Sequence, residues 1–593
     1  MRKLSLERPL LLAGCFLCLA GLPGSLWASN AYLVRNLASD VPDLADFTDP
    51  NLKGAWGISE SGASPFWISD AGSGLSTLYN SFGAPVPLVV TIPPAAAPGT
   101  GSPTGTVYNG TTGFAVATGD AAAFIFATLD GTISGWNHTA NASQAQVMVN
   151  NSATGAEYTG LAIGVSNSNT YLYAANFSGG TIDVFDSNYK PVTLTNAFVD
   201  TKLPAGYAPF NIQNLGGNLY VAYALQNAGK SFSVAGAGDG YIDVYSTAGT
   251  FMQRLVSAGP LNSPWGLAIA PAGFGDYAAD LLVGNFGDGA INVFNPTTGA
   301  FVAALNDVYG ASIVIPNLWA LQAGNGGSGG DANAIYFTAG IPGPDNGNHG
   351  LLGRLQSAPI VSATNVVNGA SFQSAIAPNT WVTITGGNLS ATERIWNDGD
   401  FVGSLLPTDI DNVSVTVNGA YAYTEYVSPT QLNVLLPVGL ASGPAQLQTY
   451  NFGLASTAVT VQIQDVAPAF FLQSDGKHLA ATHADGSLIG PTGTAGATPA
   501  APGETIILYG TGFGVTNPAT PPGKLITTAL PLAAAPTVTI GDTSAPVAFA
   551  GLTYAGLYQI NVTVPASAAS GDVPVVALVG ATASPSGAVI AVQ

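Results

Sequence analysis

Four polar residues occupy equivalent turns in an imperfect repeat, and their oxygens could bind a hard cation. Asp70, Asp130, Asn176 and Asn285 each follow a short apolar segment and precede a glycine-containing turn. Carboxylate and amide oxygens are the ligands that Ca²⁺ prefers. Asp and Asn also tolerate tight turns by bonding their own backbone, so turn geometry alone explains the same pattern. Ala224 at the equivalent place of the fourth repeat favours the turn explanation.

A second acidic group consists of Asp398, Asp400, Asp409 and Asp411 in a loop-rich part of the second half. Such a group could also bind Ca²⁺, but the spacing matches no Ca²⁺-binding loop. An ordinary solvated loop explains it as well.

Three residues between positions 478 and 485 have the side chains of a transition-metal site. His478 and His483 lie close to Asp485, but two histidines five positions apart point to opposite faces of an ideal strand. The segment 326–330 has the Gly-x-Ser-x-Gly pattern of a nucleophile elbow. No helix is predicted after it, so the match is attributed to chance.

The four turn residues belong to a repeat that is clearest in residues 172–186 and 281–295. Each of these stretches reads as a strand, a tight turn with glycine and a second, alternating strand. About 45 to 60 residues separate successive copies, which is the range of a four-stranded propeller blade. We place six copies between residues 30 and 356, with opening strands at 55–59, 114–116, 160–163, 209–212, 264–268 and 318–321.

The sixth copy reaches the linker without a fourth strand. Residues 31–37 precede the first copy, alternate in polarity and have no other partner. A ring of sheets leaves unpaired strand edges where its ends meet. We therefore predict that residues 31–37 complete the last blade of a six-bladed β-propeller that spans residues 29–356.

The second half contains a different duplication. Residues 377–388 match 501–512, and residues 431–437 match 559–565. Short alternating strands with Gly/Pro turns predict two immunoglobulin-like β-sandwiches, at 360–466 and 467–593. The fold class is all-β throughout.

The N-terminus has the pattern of a secretory signal in residues 1–28, with cleavage after Ala28. Cys15 also fits a lipobox, which would anchor the protein through a lipid. No later stretch is long and apolar enough for a membrane span. The formal net charge of −20 and the lack of a basic cluster beyond the signal exclude nucleic acid as a partner.

The phrases Pro264-Trp265-Gly266-Leu267-Ala268 and "LLVGNFGDG" at 281–289 resemble a family of uncharacterised secreted bacterial propellers related to the NHL and lactonase-like proteins. The phrases "YGTGFG" at 509–514 and "YQINVTVP" at 558–565 are similar to C-terminal modules of exported Acidobacteria (Solibacter-type) proteins, which are IPT/TIG-like. These resemblances imply an exported protein. The lactonase-like one also implies Ca²⁺ at the turn residues Asp70, Asn176 and Asn285.

The scarcity of catalytic groups favours a secreted or cell-surface binding protein over an enzyme. Its propeller would present the recognition face, and a polysaccharide, a cell-envelope component or a protein would be the ligand. A Ca²⁺-dependent lactonase-like hydrolase on the propeller face is the first alternative. A structural or adhesive surface component is the second.

Overall fold

The structure, a computed structural model, describes residues 31–593 apart from 118, 308 and 344–347. Within these residues the regular elements are β-strands and short 3-10 turns, so the chain is all-β as predicted. None of the described helical turns has the length and apolarity needed to cross a bilayer. The predicted signal peptide and Cys15 lie outside the described residues.

Residues 31–357 form six sheets in the described part of the chain. The first strands along the chain are β1 (Ala31–Ser39) and β2 (Phe47–Thr48). The first sheet comprises β3 (Ala55–Ser59), β4 (Phe66–Asp70), β5 (Leu75–Tyr79) and β6 (Pro85–Thr91). The second comprises β7 (Pro103–Tyr108), β8 (Phe124–Thr128), β9 (Thr132–Trp136) and β10 (Gln146–Asn150).

The remaining four sheets follow in chain order. The third has β11 (Tyr158–Ser166), β12 (Asn169–Asn176) and β13 (Thr181–Asp186). The fourth has β14 (Tyr207–Leu215), β15 (Asn218–Leu225), β16 (Tyr241–Ser246) and β17 (Phe251–Ser257). The fifth has β18 (Pro264–Ile269), β19 (Leu281–Asn285), β20 (Ile291–Phe294) and β21 (Phe301–Ala304), and it is followed by the short β22 (Asn306–Asp307). The sixth has β23 (Leu318–Ala323), β24 (Ile335–Ala339) and β25 (Leu351–Ser357), to which β1 is added.

The opening strands of the six sheets pack side by side in a closed ring. In order around the ring they are β3, β7, β11, β14, β18 and β23, and β23 returns to β3. This radial arrangement of antiparallel sheets is a β-propeller. The strands approach so closely that a Cβ at Gly57 would lie 2.2 Å from the Thr104 carbonyl oxygen, and one at Gly105 would lie 2.4 Å from the Leu161 amide. Glycine stands at these two positions because only a residue without a side chain fits there.

The N-terminal strand closes the ring. β1 pairs antiparallel with β25, from Tyr32 opposite Ser357 to Ser39 opposite Leu351. The Tyr32 hydroxyl also donates to the Phe274 carbonyl at 2.8 Å. Residues 31–37, for which the sequence offered no other partner, thus cover the edge that β25 would otherwise expose.

The opening strand of the second sheet differs from the prediction. Residues 114–116 were expected there, but β7 (Pro103–Tyr108) takes that place, and Phe114 has a left-handed φ of 59°. Phe114 is fully buried, which explains why an apolar strand was predicted around it. The signal that was missed is Pro103-Thr104-Gly105, which has the same Pro-x-Gly order as Pro264-Trp265-Gly266.

The first sandwich lies in residues 360–463 and consists of two sheets around one core. One sheet contains β26 (Ile360–Asn368), β27 (Trp381–Gly387), β28 (Arg394–Ile395), β32 (Tyr423–Val427) and β33 (Gln431–Leu435). The other contains β29 (Asp409–Ile410), β30 (Val413–Val417), β31 (Ala420–Tyr421), β34 (Gly443–Asn451), β35 (Leu454–Ala455) and β36 (Val459–Ile463).

The second sandwich, in residues 469–592, repeats this plan. One sheet contains β37 (Ala469–Phe470), β38 (Ala481–Thr482), β39 (Leu488–Ile489), β40 (Ala497–Thr498), β41 (Thr505–Thr511), β42 (Leu530–Pro531), β45 (Val547–Tyr554) and β46 (Leu557–Thr563). The other contains β43 (Thr537–Ile540), β44 (Thr543–Ala545), β47 (Gly571–Val579), β48 (Thr582–Ala583) and β49 (Val589–Val592). The duplicated segments pair alike, since Thr383 faces Asn433 in the first unit and Ile507 faces Asn561 in the second.

Side chains join the three parts of the chain. Asn388 Nδ2 donates to the Gly273 carbonyl at 2.6 Å and to Ser357 Oγ at 2.5 Å, which links the first sandwich to the propeller. Trp381 Nε1 donates to the Ala555 carbonyl at 3.0 Å, which links the two sandwiches. Both donors are buried, so breaking either bond would leave buried polar groups unpaired.

Candidate functional site

The four predicted turn residues sit where the repeat pattern placed them. Asp70, Asn176 and Asn285 end the second strand of their sheets, and Asp130 lies in the turn after β8. Asp70 Oδ2 accepts from the Thr77 amide at 3.0 Å and from the Thr77 hydroxyl at 2.8 Å. Burial of Asp70 raises its pKa well above the usual range, and its Oδ1 is buried without a hydrogen-bond partner.

The two asparagines are also bonded locally. Asn176 Oδ1 accepts from the Gly179 amide at 3.0 Å, and its Nδ2 donates to Asp183 Oδ2 at 3.0 Å. Asn285 Nδ2 donates to Asp288 Oδ1 at 3.1 Å. These are the backbone and same-sheet contacts that the turn explanation requires.

The four residues therefore share one end of the propeller without converging on one point. Asp130 Oδ2 accepts from the Ala95 amide at 2.5 Å, and none of the four hydrogen-bonds to another. In the described chain, no group of three or more His, Cys, Asp or Glu side chains is arranged to hold a metal ion. A Ca²⁺ site at these residues stays a prediction.

Aromatic rings, instead of oxygens, converge at this end of the channel. Phe177 and Phe286 directly follow Asn176 and Asn285 in the sequence, and both rings point toward the axis. With four further rings they line a cavity of about 270 Å³. We call this cavity the aromatic mouth and define it by Trp56, Phe177, Phe210, Phe232, Phe286 and Trp319.

Several rings of the aromatic mouth contact one another. The centroids of Trp56 and Trp319 are 3.5 Å apart, and those of Trp319 and Phe286 are 4.2 Å apart, both in stacked geometry. The Phe177 and Phe210 rings lie 5.0 Å apart. Trp56 and Trp319 are the second residues of β3 and β23, so the ring of opening strands brings them together at its axis.

Polar groups surround the aromatic rings, and the described lining carries no charged side chain. Asn317, Asn348, Ser231 and Ser233 contribute amides and hydroxyls. A Cβ at Gly54 would lie 2.6 Å from Asn348 Nδ2, so this amide rests directly on the backbone at the rim.

Phe232 is the accessible ring of the aromatic mouth. It lies in the loop between β15 and β16 and is 71% exposed, whereas Trp56 and Trp319 are buried. Phe232 is therefore the ring of the aromatic mouth that is most accessible to a ligand.

The opposite end of the channel is polar. The C-terminal ends of the opening strands line a second cavity, of about 230 Å³, with Glu60, Gln213, Asn214 and Gln322. Burial raises the pKa of Glu60 to about 8, although the neighbouring Gln322 side chain partly opposes this rise. Glu60 Oε2 is buried without a hydrogen-bond partner. A lone Glu at a strand end has no distinctive spacing, so no sequence pattern points to this carboxyl group.

The second acidic group surrounds an arginine. Arg394 binds Asp400 through two nitrogens, at 2.7 and 2.8 Å, and Asp411 through two more bonds, at 2.8 and 2.9 Å. These bonds hold the pKa of both carboxyls below the usual range. Asp398 and Asp409 make no ion pair with Arg394. An internal cation thus already occupies the position between Asp400 and Asp411.

The two C-terminal histidines have separate partners. His478 lies between Asp475, 2.5 Å from Nδ1, and Asp572, 3.0 Å from Nε2. His483 Nδ1 lies 2.5 Å from Glu504. The residues are not brought together as a joint metal site with Asp485, whose side chain bonds Ser487.

Sequence comparison finds relatives of this chain that are encoded by a virus. It is 32% identical over 338 residues to "Uncharacterized protein R648" of Acanthamoeba polyphaga mimivirus, a match that covers 55% of this chain and 81% of that protein. It is 31% identical over 344 residues to "Uncharacterized protein L690" of the same virus, covering 56% and 88%. The chain belongs to the family of these two proteins. No family model matches.

The members of this R648/L690 family that show the relationship have no assigned activity, so membership brings no reaction to this chain. Both are viral, and the bacterial origin suggested by the sequence phrases stays a prediction. Solved structures that align include a glucose dehydrogenase, with 13% identity, a TM-score of 0.35 and coverage of 54% of this chain and 98% of that one. A streptogramin B lyase aligns with 9% identity, a TM-score of 0.33 and coverage of 55% and 97%.

Proposed function

We propose that this protein is an exported binding protein whose aromatic mouth binds a sugar ring of a polysaccharide. In this proposal the six sheets are the six blades of a propeller, and the two sandwiches are immunoglobulin-like spacer or attachment modules. The predicted signal peptide at residues 1–28 supports export.

The aromatic mouth is the observation that carries the proposal. Indole and phenyl rings line the cavity, and Phe232 exposes its ring at the rim. Sugar rings have apolar faces of matching size that pack on aromatic side chains. The amides of Asn317 and Asn348 and the hydroxyls of Ser231 and Ser233 would hydrogen-bond ring hydroxyls. A neutral ligand suits a lining whose described residues carry no charge.

Retention of the purified protein on insoluble polysaccharides and cell-wall fractions tests the proposal. We expect the native chain to be retained and a Phe232→Ala variant to lose about tenfold in affinity, because aromatic anchors in a binding surface contribute on the order of 1–2 kcal/mol. Phe232 is mostly exposed, so its removal should not affect folding.

Phe301→Ala is the matched control. Phe301 is 51% exposed on β21, the outer strand of its sheet and far from the channel axis. Retention should be unchanged in this variant. The proposal would be contradicted if the native chain bound none of the polysaccharides tested, or if the Phe232 and Phe301 variants were retained equally.

A further inference from the structure

A third cavity lies where the two sandwiches meet. It has a volume of about 250 Å³, and one wall is the outer face of the first sandwich, with Thr383 and Asn433 on neighbouring strands. The other wall comes from the second sandwich, with Phe471 and Tyr554. We call this cavity the junction pocket and define it by Trp381, Thr383, Glu425, Asn433, Phe471 and Tyr554.

Glu425 carries the only charge on the described lining of the junction pocket. Its carboxylate makes no hydrogen bond or ion pair with any described side chain, and burial raises its pKa. By contrast, the nearby Asp400 and Asp411 are both paired with Arg394. Glu425 is therefore a partly desolvated acid without a compensating cation, which is costly unless a ligand supplies one.

A β-bulge directs Glu425 into the junction pocket. In the pairing of β32 with β33, Thr424 faces Val434 and Tyr426 faces Asn433, which leaves Glu425 as the extra residue between them. A bulge re-aims the side chain of its extra residue, and bulges are frequent beside functional sites. The bulge and the unpaired charge of Glu425 are two independent observations, and both place Glu425 in the junction pocket as a group available to a ligand.

Most of the remaining polar groups of the junction pocket already have hydrogen-bond partners within the protein. Thr383 Oγ1 donates to Asn433 Oδ1 at 3.1 Å, and Gln431 Nε2 donates to the same oxygen at 3.0 Å. Trp381 Nε1 is bonded to the Ala555 carbonyl. The carboxylate of Glu425 and the aromatic rings thus remain as the groups that can bind a ligand.

We propose that the junction pocket binds an organic ammonium group, with Glu425 as the counter-ion and Trp381, Phe471 and Tyr554 as the aromatic wall. Aromatic rings attract alkylated ammonium groups through cation–π contacts, and the apolar methyl groups fill space that a metal ion would leave empty. The net charge of −20 also raises the local concentration of cations. This site is separate from the aromatic mouth, and its failure would leave the proposed polysaccharide site unaffected.

Choline and its uncharged isostere 3,3-dimethylbutan-1-ol are the probes that test the junction pocket. Ligand-observed NMR on the full mature chain should show saturable binding of choline, with a Kd of about 1 mM, as expected for a small ligand. The isostere should bind about tenfold more weakly because it lacks the charge that Glu425 and the rings attract. Equal binding of the two probes, or no saturation below about 100 mM choline, would overturn the proposal.

Four variants separate charge, ring and folding effects. Glu425→Gln should weaken choline binding about tenfold and leave binding of the isostere unchanged, whereas Asp542→Asn, on an exposed turn of the second sandwich, should change neither. Tyr554→Leu should weaken choline binding about fivefold, and Tyr554→Phe should restore it because the ring remains. The melting temperature shows whether each variant folds normally. The assignment would be contradicted if a normally folded Glu425→Gln or Tyr554→Leu variant bound choline as tightly as the native chain.

Discussion

The indole rings of Trp56 and Trp319 stack with centroids 3.5 Å apart, although the two residues come from the first and last sheets of the propeller. The contact joins the two ends of the ring at its axis, and β1 joins the same ends at the rim by pairing with β25. The ring of sheets is therefore closed in two places, by the indole stack at the axis and by β1 at the outer edge. Closure supports the site directly, because the stacked indoles are also the floor of the aromatic mouth.

Replacing Trp319 with alanine should destabilise the propeller by about 3–5 kcal/mol, the range for deleting a buried aromatic ring. Trp319 is 6% exposed and contacts the rings of Trp56, Phe210, Trp265 and Phe286. Denaturant unfolding followed by circular dichroism measures the change. Trp396, which is only partly buried in the first sandwich, provides the comparison, and an equal loss for Trp396→Ala would contradict the special role of the axial stack.

Removing β1 should prevent stable closure of the propeller. A chain that begins at residue 41 lacks the strand that covers β25, whose residues Leu351–Ser357 are all buried in the complete protein. Exposed strand edges promote association with other chains. Size-exclusion chromatography should show aggregates for this truncation and a single species for a control that begins at residue 29. A monomeric truncation with an unchanged melting temperature would disprove the closure role.

Arg394→Met should destabilise the first sandwich by about 2 kcal/mol, because charge-assisted hydrogen bonds contribute on this scale and the two carboxylates would then repel each other. Arg394 holds both Asp400 and Asp411 in the complete protein. Thermal unfolding with and without added Ca²⁺ measures the effect. Ca²⁺ should stabilise the variant more than the native chain, because the substitution removes the guanidinium group from between the Asp400 and Asp411 carboxylates and leaves space there for a cation. Stabilisation of the native chain alone would show that the acidic loop binds Ca²⁺ elsewhere.

The second sandwich should be more stable at about pH 6 than at about pH 8.5, because of His478. Burial alone would lower the pKa of His478. Its hydrogen bonds to Asp572 and Asp475 have the larger effect, so the pKa of His478 in the folded protein is raised above its usual value. A histidine whose pKa is higher in the folded than in the unfolded chain stabilises the folded state. This stabilisation is complete below the unfolded-state pKa of about 6.5, and it is lost as the pH rises through the folded-state pKa.

Melting temperatures across this pH range test the prediction. His478→Asn should reduce the pH dependence of the native chain, whereas His138→Asn, at an exposed position of the propeller, should not. His483 also has a raised pKa, beside Glu504, so part of the dependence should remain in the His478 variant. A profile that is identical in the native chain and the His478 variant would contradict the role of this ion-pair cluster.

Much of the fold was predictable because strand signals are local. The alternation and glycine turn of residues 172–186 predict two strands joined by a tight turn, and these residues fall within β12, β13 and the turn between them. The second opening strand was missed because Phe114 is buried in a turn, and burial alone makes a short apolar segment look like a strand. The Asn-Phe pairs at 176–177 and 285–286 are visible in the repeat, but the pattern does not show which of the two side chains faces the axis.

By itself the sequence determined the all-β class, the repeats, the duplication and the strand that completes the last sheet, because each depends on periodicity or similarity along the chain. Only the tertiary structure decided which side chains meet. Phe177 and Phe286 point to the axis while Asn176 and Asn285 bond within their sheets, and Glu425 turns into the junction pocket through a bulge. Such outcomes depend on strand register and on contacts between residues hundreds of positions apart, which no local pattern encodes.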